Sequence, residues 1–388
     1  MSEYQYVHFQ AVDRPLTDDE LRFANRQSSR AEPTRWELSI EYEYSSFRGD
    51  VDGLLRRGYD VFMQFTSYGN RQIKMHLPAG LPFATKVWSP YVNGEKCHWT
   101  KDPAGEGGIL TLECYDDPGD FDNVDHPEQV VDAVVKIRER LMWGDLRVLY
   151  WFWLCTAMWN ELEPEEIIEP PVPHGMAECP EFAHHLLEFF GQDPLILDAA
   201  GSGVPRAPAA QSADRTISDW LATLSGPQTK DLLQRLLTGD TALEKANLLA
   251  MARETQPSQS WPTLDRGLSL AELLQKTESL RVEEEDRKAK LAAAAAKKQA
   301  ELAEQQRQQR MQEMRQSPKT WLQEAEKLVA RKGTDSYKEA AAILFDLREA
   351  VGGTAGDKMA RDLAAKLVKK YPTLSLLKSS LRKRGLLD

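Results

Sequence analysis

Several groups of side chains in this chain are of types that can do chemistry. Asp60 opens one strand-like run, and Gln72 and Lys74 lie on the next, with Gly69-Asn70 between them. A short Gly-Asn loop between β-rich runs reads as a tight hairpin. Metal-dependent nucleases use such a placement: carboxylates hold Mg²⁺ and a lysine steadies the attacked phosphate. Position 72 carries an amide where a second carboxylate is needed, which leaves the ion under-coordinated.

His174, Cys179, His184 and His185 fall within a short stretch and are zinc-ligand types. No C-x-x-C or H-x-x-x-H spacing accompanies them, and adjacent histidines on a helix point different ways, so ordinary helix and loop histidines are expected. Asp116, Asp117, Asp120, Asp122 and Asp125 are calcium-ligand types. They lack the glycine and glutamate of a helix–loop–helix calcium loop. An acidic loop leading into a helix at Pro127 accounts for them, since acids favour a helix N-terminus. Gly201-Ser202-Gly203 has no strand-to-helix elbow around it, and no phosphate-binding glycine loop or H-E-x-x-H is present. No catalytic residue, cofactor or metal is assigned on this reading.

The remaining group is basic: Lys366, Lys369, Lys370, Lys378, Arg382, Lys383 and Arg384 crowd one end of the chain. Residues 275–388 carry 25 Lys+Arg against 17 Asp+Glu, and the preceding residues carry 24 against 43. An acidic body opposes nonspecific nucleic-acid binding by that body. The basic end fits either an acidic protein surface or a nucleic acid, with steep salt dependence in the second case.

These groups need elements to position them. Residues 36–44 alternate Trp36, Leu38, Ile40, Tyr42 and Tyr44 with Glu37, Ser39, Glu41 and Glu43, which predicts a half-buried strand with one acidic face. Residues 4–12 read as a second strand, and residues 95–101 with 109–115 as a second hairpin. Aromatics on the first two strands are base-stacking types, but the glutamates beside them favour core packing. Helices are expected near 18–28, from a Thr17/Glu20 capping box, and over 127–142 and 144–162. The last carries Tyr150, Trp151, Phe152, Trp153 and Trp159 on all sides, so it belongs inside the body. Its apolar run, 146–159, is too short to span a membrane.

Between Leu268 and Ser317 no glycine or proline interrupts a run of strong helix formers. Ser269/Glu272 forms a capping box and Pro318 a stop, which predicts a helix over 270–316, ~70 Å long at 1.5 Å per residue. Apolar heptad positions thin out after Leu291, so a single solvated helix is expected ahead of a coiled coil. The four cysteines are too scattered for a disulfide scaffold. The N-terminus lacks a signal-peptide pattern, and cytoplasmic location is the default expectation.

The fold expected is α+β: an N-terminal mixed sheet packed by an aromatic-rich helix, then all-α modules joined by a long helix. The boundaries expected are an α+β domain over 1–198, a linker over 199–216, a helical module over 217–263, a polar helical arm over 264–316 and a basic helical domain over 317–388.

Residues 11–17 (AVDRPLT), 28–31 (SSRA), 45–50 (SSFRGD), 58–78 (GYDVFMQFTSYGNRQIKMHLP), 219–240 (DWLATLSGPQTKDLLQRLLTGD) and 371–387 (YPTLSLLKSSLRKRGLL) together resemble an uncharacterised bacterial family. That family is associated with SWIM zinc-finger proteins and with gene clusters of MoxR-type ATPases and von Willebrand A proteins. The resemblance covers most of the chain outside the polar helix and implies a partner in a chaperone-like or conflict (phage-defence) assembly. The chain itself has no SWIM cysteine/histidine pattern and no ATPase loop. A non-enzymatic adaptor is thus the expected function. A nucleic-acid factor acting through the basic end and a nuclease using Asp60, Gln72 and Lys74 are the alternatives.

Overall fold

The computed structural model describes residues 4–92, 94–115, 126–159, 162–207, 213–239, 241–254 and 261–387. The chain opens with β1 (Tyr4–Gln10), α1 (Asp18–Asn25), β2 (Glu37–Glu43), α2 (Val51–Arg57), β3 (Val61–Thr66), β4 (Asn70–Leu77), α3 (Thr85–Trp88), β5 (Cys97–Lys101) and β6 (Gly108–Tyr115). These strands form one sheet in the order β2-β1-β3-β4-β6-β5. Every pairing is antiparallel, so the sheet is not mixed. β3–β4 and β5–β6 are hairpins with short connections, while β1 reaches its antiparallel neighbour β2 through the longer segment that holds α1.

The alternation read in β2 is real. Leu38, Ile40 and Tyr42 are buried, and Glu37, Glu41 and Glu43 are exposed. The first hairpin turns through residues 67–69, with Gly69 at φ 89° and Asn70 already on β4. Positive φ there is the conformation that glycine adopts without a side-chain penalty.

α4 (Pro127–Met142) and α5 (Arg147–Ala157) cover one sheet face. Val134, Ile137 and Leu141 meet Val61, Met63, Ile73, Met75, Leu110 and Leu112 in one core with Tyr150, Trp151 and Phe152. α1 and α2 cover part of the other face over Val7, Phe9, Leu38, Ile40 and Phe62. β7 (Val172–Pro173), α6 (Glu181–Phe189) and α7 (Leu195–Gly201) follow, and Leu186, Leu187 and Phe190 close over α5. That outer layer is why α5 is apolar all round.

The segment expected to be a linker from 199 onward begins inside α7. Ala199 and Ala200 are buried, and a Cβ at Gly201 would stand 2.7 Å from the Ala177 backbone. The small residues that look like linker composition are there for close packing. α8 (Ala213–Thr223), α9 (Gly226–Thr238) and α10 (Thr241–Glu254) follow, and Trp220, Leu232 and Ala252 form a small core there. β8 (Thr263–Leu264) then returns to pair with β7.

α11 runs from Leu270 to Gln316 as one helix. Its first turns belong to the N-terminal unit, which extends to Glu283, and the remainder belongs to the C-terminal unit. Every residue from Glu285 to Arg310 is exposed, including Leu291 and Leu302. No apolar seam runs along that stretch, as a solvated single helix requires. The C-terminal unit continues with α12 (Pro318–Ala330), α13 (Thr334–Val351), α14 (Gly353–Lys370) and α15 (Ser375–Lys383). α13 is central, burying Tyr337, Ala340, Ala341, Ile343, Leu344 and Leu347. Among the described residues no helix is long and apolar enough to cross a membrane.

Candidate interaction surface and the networks that carry it

The base of α11 is seated in the N-terminal unit by contacts that span long stretches of chain. Ser269 and Glu272 form the expected capping box: the Glu272 amide donates to Ser269 Oγ at 3.2 Å, and the Ser269 amide to Glu272 Oε2 at 2.8 Å. Leu270 donates its amide to the Ile167 carbonyl at 2.8 Å, and Leu270 and Leu273 are fully buried. Just before the helix, Arg266 donates to both oxygens of the buried Glu169 at 2.6 and 3.1 Å, and Tyr150 donates its hydroxyl to the same carboxylate. Burial, then the Glu169 charge, pushes the Tyr150 hydroxyl well above its usual pKa, so it stays a donor. Trp261 donates Nε1–H to the His174 carbonyl at 3.2 Å and lies beneath the Arg147 guanidinium. Arg147 is itself paired with the buried Asp145 at 2.7 Å. Arg281, farther along the helix, reaches Asp193 at 2.6 Å.

The far end of α11 is held just as specifically. Met314 is fully buried in the C-terminal core, and Arg310 stacks on the Trp321 ring and pairs with Asp346. Arg307 pairs with Glu349 at 3.2 Å.

The structure places the seven basic residues of the chain's end in distinct settings. Lys366 reaches across to Glu326 on α12 at 3.0 Å. Lys370 lies over the Tyr371 ring, and Lys378 donates to the Pro372 carbonyl at 2.7 Å, so both border the α14–α15 corner. Arg384 shares the Phe345 ring with Arg348, each guanidinium 5.0 to 5.5 Å from its centre. Lys369, Arg382 and Lys383 are exposed. Lys369 and Lys383 have no partner among the described residues. Lys366 and Arg384 are thus paired or stacked while still exposed, Lys369 and Lys370 end α14, and Arg382 and Lys383 end α15.

The hairpin constellation is divided. Asp60 is buried, accepting from the Val12 and Asp13 amides at 2.7 and 3.0 Å and from Arg138 at 2.8 Å. Arg138 also donates to both Asp13 oxygens and, through Nε, to the His76 carbonyl. Burial pushes the Asp60 carboxyl up. Asp13 also feels burial, but the bonds and charge of Arg138 outweigh it and hold Asp13 below its usual value. Lys74 instead pairs with Asp52 on α2 at 2.7 Å, and Gln72 donates to Glu113 at 2.6 Å. The atoms that a nuclease would converge on one phosphate are each committed elsewhere. Sequence reasoning missed Arg138, Asp52 and Glu113, because their partners lie far along the chain.

Beside Lys74, Asp102 accepts from His76 Nε2–H at 2.9 Å and from Arg56 Nε–H at 2.8 Å. Burial raises the Asp102 carboxyl, but those two donors lower it more, leaving it below its usual value. A carboxylate depressed on folding stabilises above its unfolded pKa, and that stability disappears as pH falls through the lower folded value. Asp102→Asn is therefore expected to destabilise the protein at pH 7. The gap from wild type should close as the pH drops below about 4. Urea midpoints at stepped pH check this, and a gap constant down to pH 3 counts against it.

Cys179 donates its thiol to the Met176 carbonyl, and burial pushes its pKa up to about 11. His185 faces Glu188, and His174 uses its backbone to bind Pro262 and Trp261. Among the described residues no three His, Cys, Asp or Glu side chains gather as a metal ion requires. The aspartates of 116–125 lie outside the described residues. Ser202 follows α7 and accepts Arg266 through its carbonyl. Of the strand aromatics, Tyr6, Phe9 and Tyr42 face the cores, while Trp36 and Tyr44 are exposed.

Comparison of the chain with protein-family models, curated proteins and solved structures finds no match.

Proposed function

We propose that this chain is a non-enzymatic adaptor that presents a basic helical surface to an acidic protein partner. The observation that carries the reading is the treatment of α11. Its first turns are buried and ion-paired in one core, its last turns in another, and the stretch between is solvated. A stretch that is solvated between two buried ends walls no site, which fits a binding role better than a catalytic one. The fate of Asp60, Gln72 and Lys74 supports it from the other side, since each is satisfied by a structural partner. The resemblance to a bacterial family of multiprotein systems points the same way. The partner would then belong to such an assembly, a SWIM zinc-finger or ATPase-system protein among the expectations.

The test is binding of the full chain to poly-glutamate and to DNA and RNA across a salt series. Poly-glutamate should bind at low salt and weaken as salt rises. Changing Lys369, Lys370, Arg382 and Lys383 to glutamate should weaken it at least tenfold. Binding to DNA or RNA that persists at physiological salt and is lost in the same variant would replace this reading with the nucleic-acid one. Cleavage in Mg²⁺ or Mn²⁺ that both Asp60→Ala and Lys74→Ala abolish would replace it with the nuclease one.

A further inference from the structure

The chain carries its own acidic counterpart to the basic ends of α14 and α15. β2 is an edge strand, and its register places Glu37, Glu41 and Glu43 opposite Gln10, Tyr6 and Tyr4 on one face. α4 brings Glu128 and Asp132 to that same side. Glu37, Glu41 and Glu128 act on the Tyr6 hydroxyl, and Glu37 and Asp132 act on the His8 ring. Among the described residues Glu37, Glu41, Glu43 and Asp132 have no ion-pair partner, so the row repels itself until a cation covers it. The wider charge is divided in the same way. Residues 284–388 carry 23 Lys+Arg against 15 Asp+Glu, and residues 1–283 carry 26 against 45.

We infer that the partner of the basic ends of α14 and α15 is the β2 edge of a second copy of this chain, so that copies associate head to tail. This rests on the adaptor reading and names its partner. A contact between two different patches is heterologous and leaves one of each patch free, so association continues beyond a pair unless a ring closes. Whole copies, each at formal charge −11, repel, which gives the salt dependence an unusual form. At roughly 10 mM salt the screening length is about 30 Å and whole-molecule repulsion is felt. At roughly 150 mM it is about 8 Å, and apposed patches attract while the rest is screened. At roughly 1 M it is about 3 Å and the attraction is lost.

Sedimentation velocity of the full chain over a concentration series at those three salts is the experiment. The expected result is association strongest at the middle salt and absent at the highest. Lys369→Glu/Lys370→Glu/Arg382→Glu/Lys383→Glu and Glu37→Lys/Glu41→Lys/Glu43→Lys should each reduce self-association at least tenfold. All the substituted side chains are exposed, and circular dichroism checks that both variants fold. Their equimolar mixture should associate, because each then supplies the patch that the other has reversed. A chain that is monomeric at every salt yet still captures poly-glutamate overturns the self-assembly and leaves the adaptor reading standing. Loss of both overturns both.

Discussion

Arg138→Ala is expected to lower the unfolding free energy of the N-terminal unit by about 3–5 kcal/mol. The Arg138 side chain is 2% exposed and pairs with Asp60, 8% exposed, and with Asp13. It joins α4 to the start of β3, to the loop after β1 and to the β4 backbone at His76. Truncation leaves the Asp60 carboxylate buried with two backbone amides and no cation. The cost is that of an orphaned charge, more than that of lost packing. Arg138→Met with Asp60→Asn removes both charges, and should recover about 2 kcal/mol relative to the sum of the single changes. Only Trp321 of the ten tryptophans lies beyond Glu283, so urea unfolding followed by tryptophan fluorescence reports this unit. A loss below about 1 kcal/mol would mean that Asp60 finds water or takes up a proton at little cost.

That triad also marks where the sequence stops being readable. Local grammar was legible. Thr17 and Glu20 form both bonds of their capping box, the alternation of β2 is the observed burial, and the bounds of α11 follow from Ser269/Glu272 and Pro318. Each of those signals lies within a turn or a strand. The partner of Asp60 stands 78 residues away, and that of Glu169 stands 97 away. No periodicity carries such pairings, which depend on which faces the topology brings together. The same limit explains residues 199–201, where alanine and glycine read equally well as linker or as close packing until Ala177 is seen against them. The basic end was legible as composition. That Lys366 would pair with Glu326 and Arg384 stack on Phe345 was not.

The seat of α11 gives the second large effect, and it is local. Arg266→Ala removes both guanidinium bonds from Glu169, whose side chain is 1% exposed, and leaves it the Tyr150 hydroxyl alone. Breaking a buried pair from one side costs about 3 kcal/mol or more. Here that cost falls on a two-residue strand pair and the entry to a helix, elements that open before the whole unit does. The expected result is about a hundredfold faster amide exchange at Glu169, His174, Leu270 and Ala271, at 1.4 kcal/mol per tenfold. Those amides bond the Leu268, Pro262, Ile167 and Pro164 carbonyls, so they report the seat directly. Amides of α13 should keep their wild-type protection, since their core does not contain this pair. Tyr150→Phe removes only one donor and should cost about 1.5 kcal/mol, with a correspondingly smaller rise in exchange. If Arg266→Ala leaves those four amides as protected as in wild type, the base of the helix is held without Arg266, by Leu270, Leu273 and the Arg281–Asp193 pair. If protection falls equally throughout the N-terminal unit, the seat is part of the global fold. Only selective loss at the seat makes α11 a separately mounted element, which is what the adaptor reading needs.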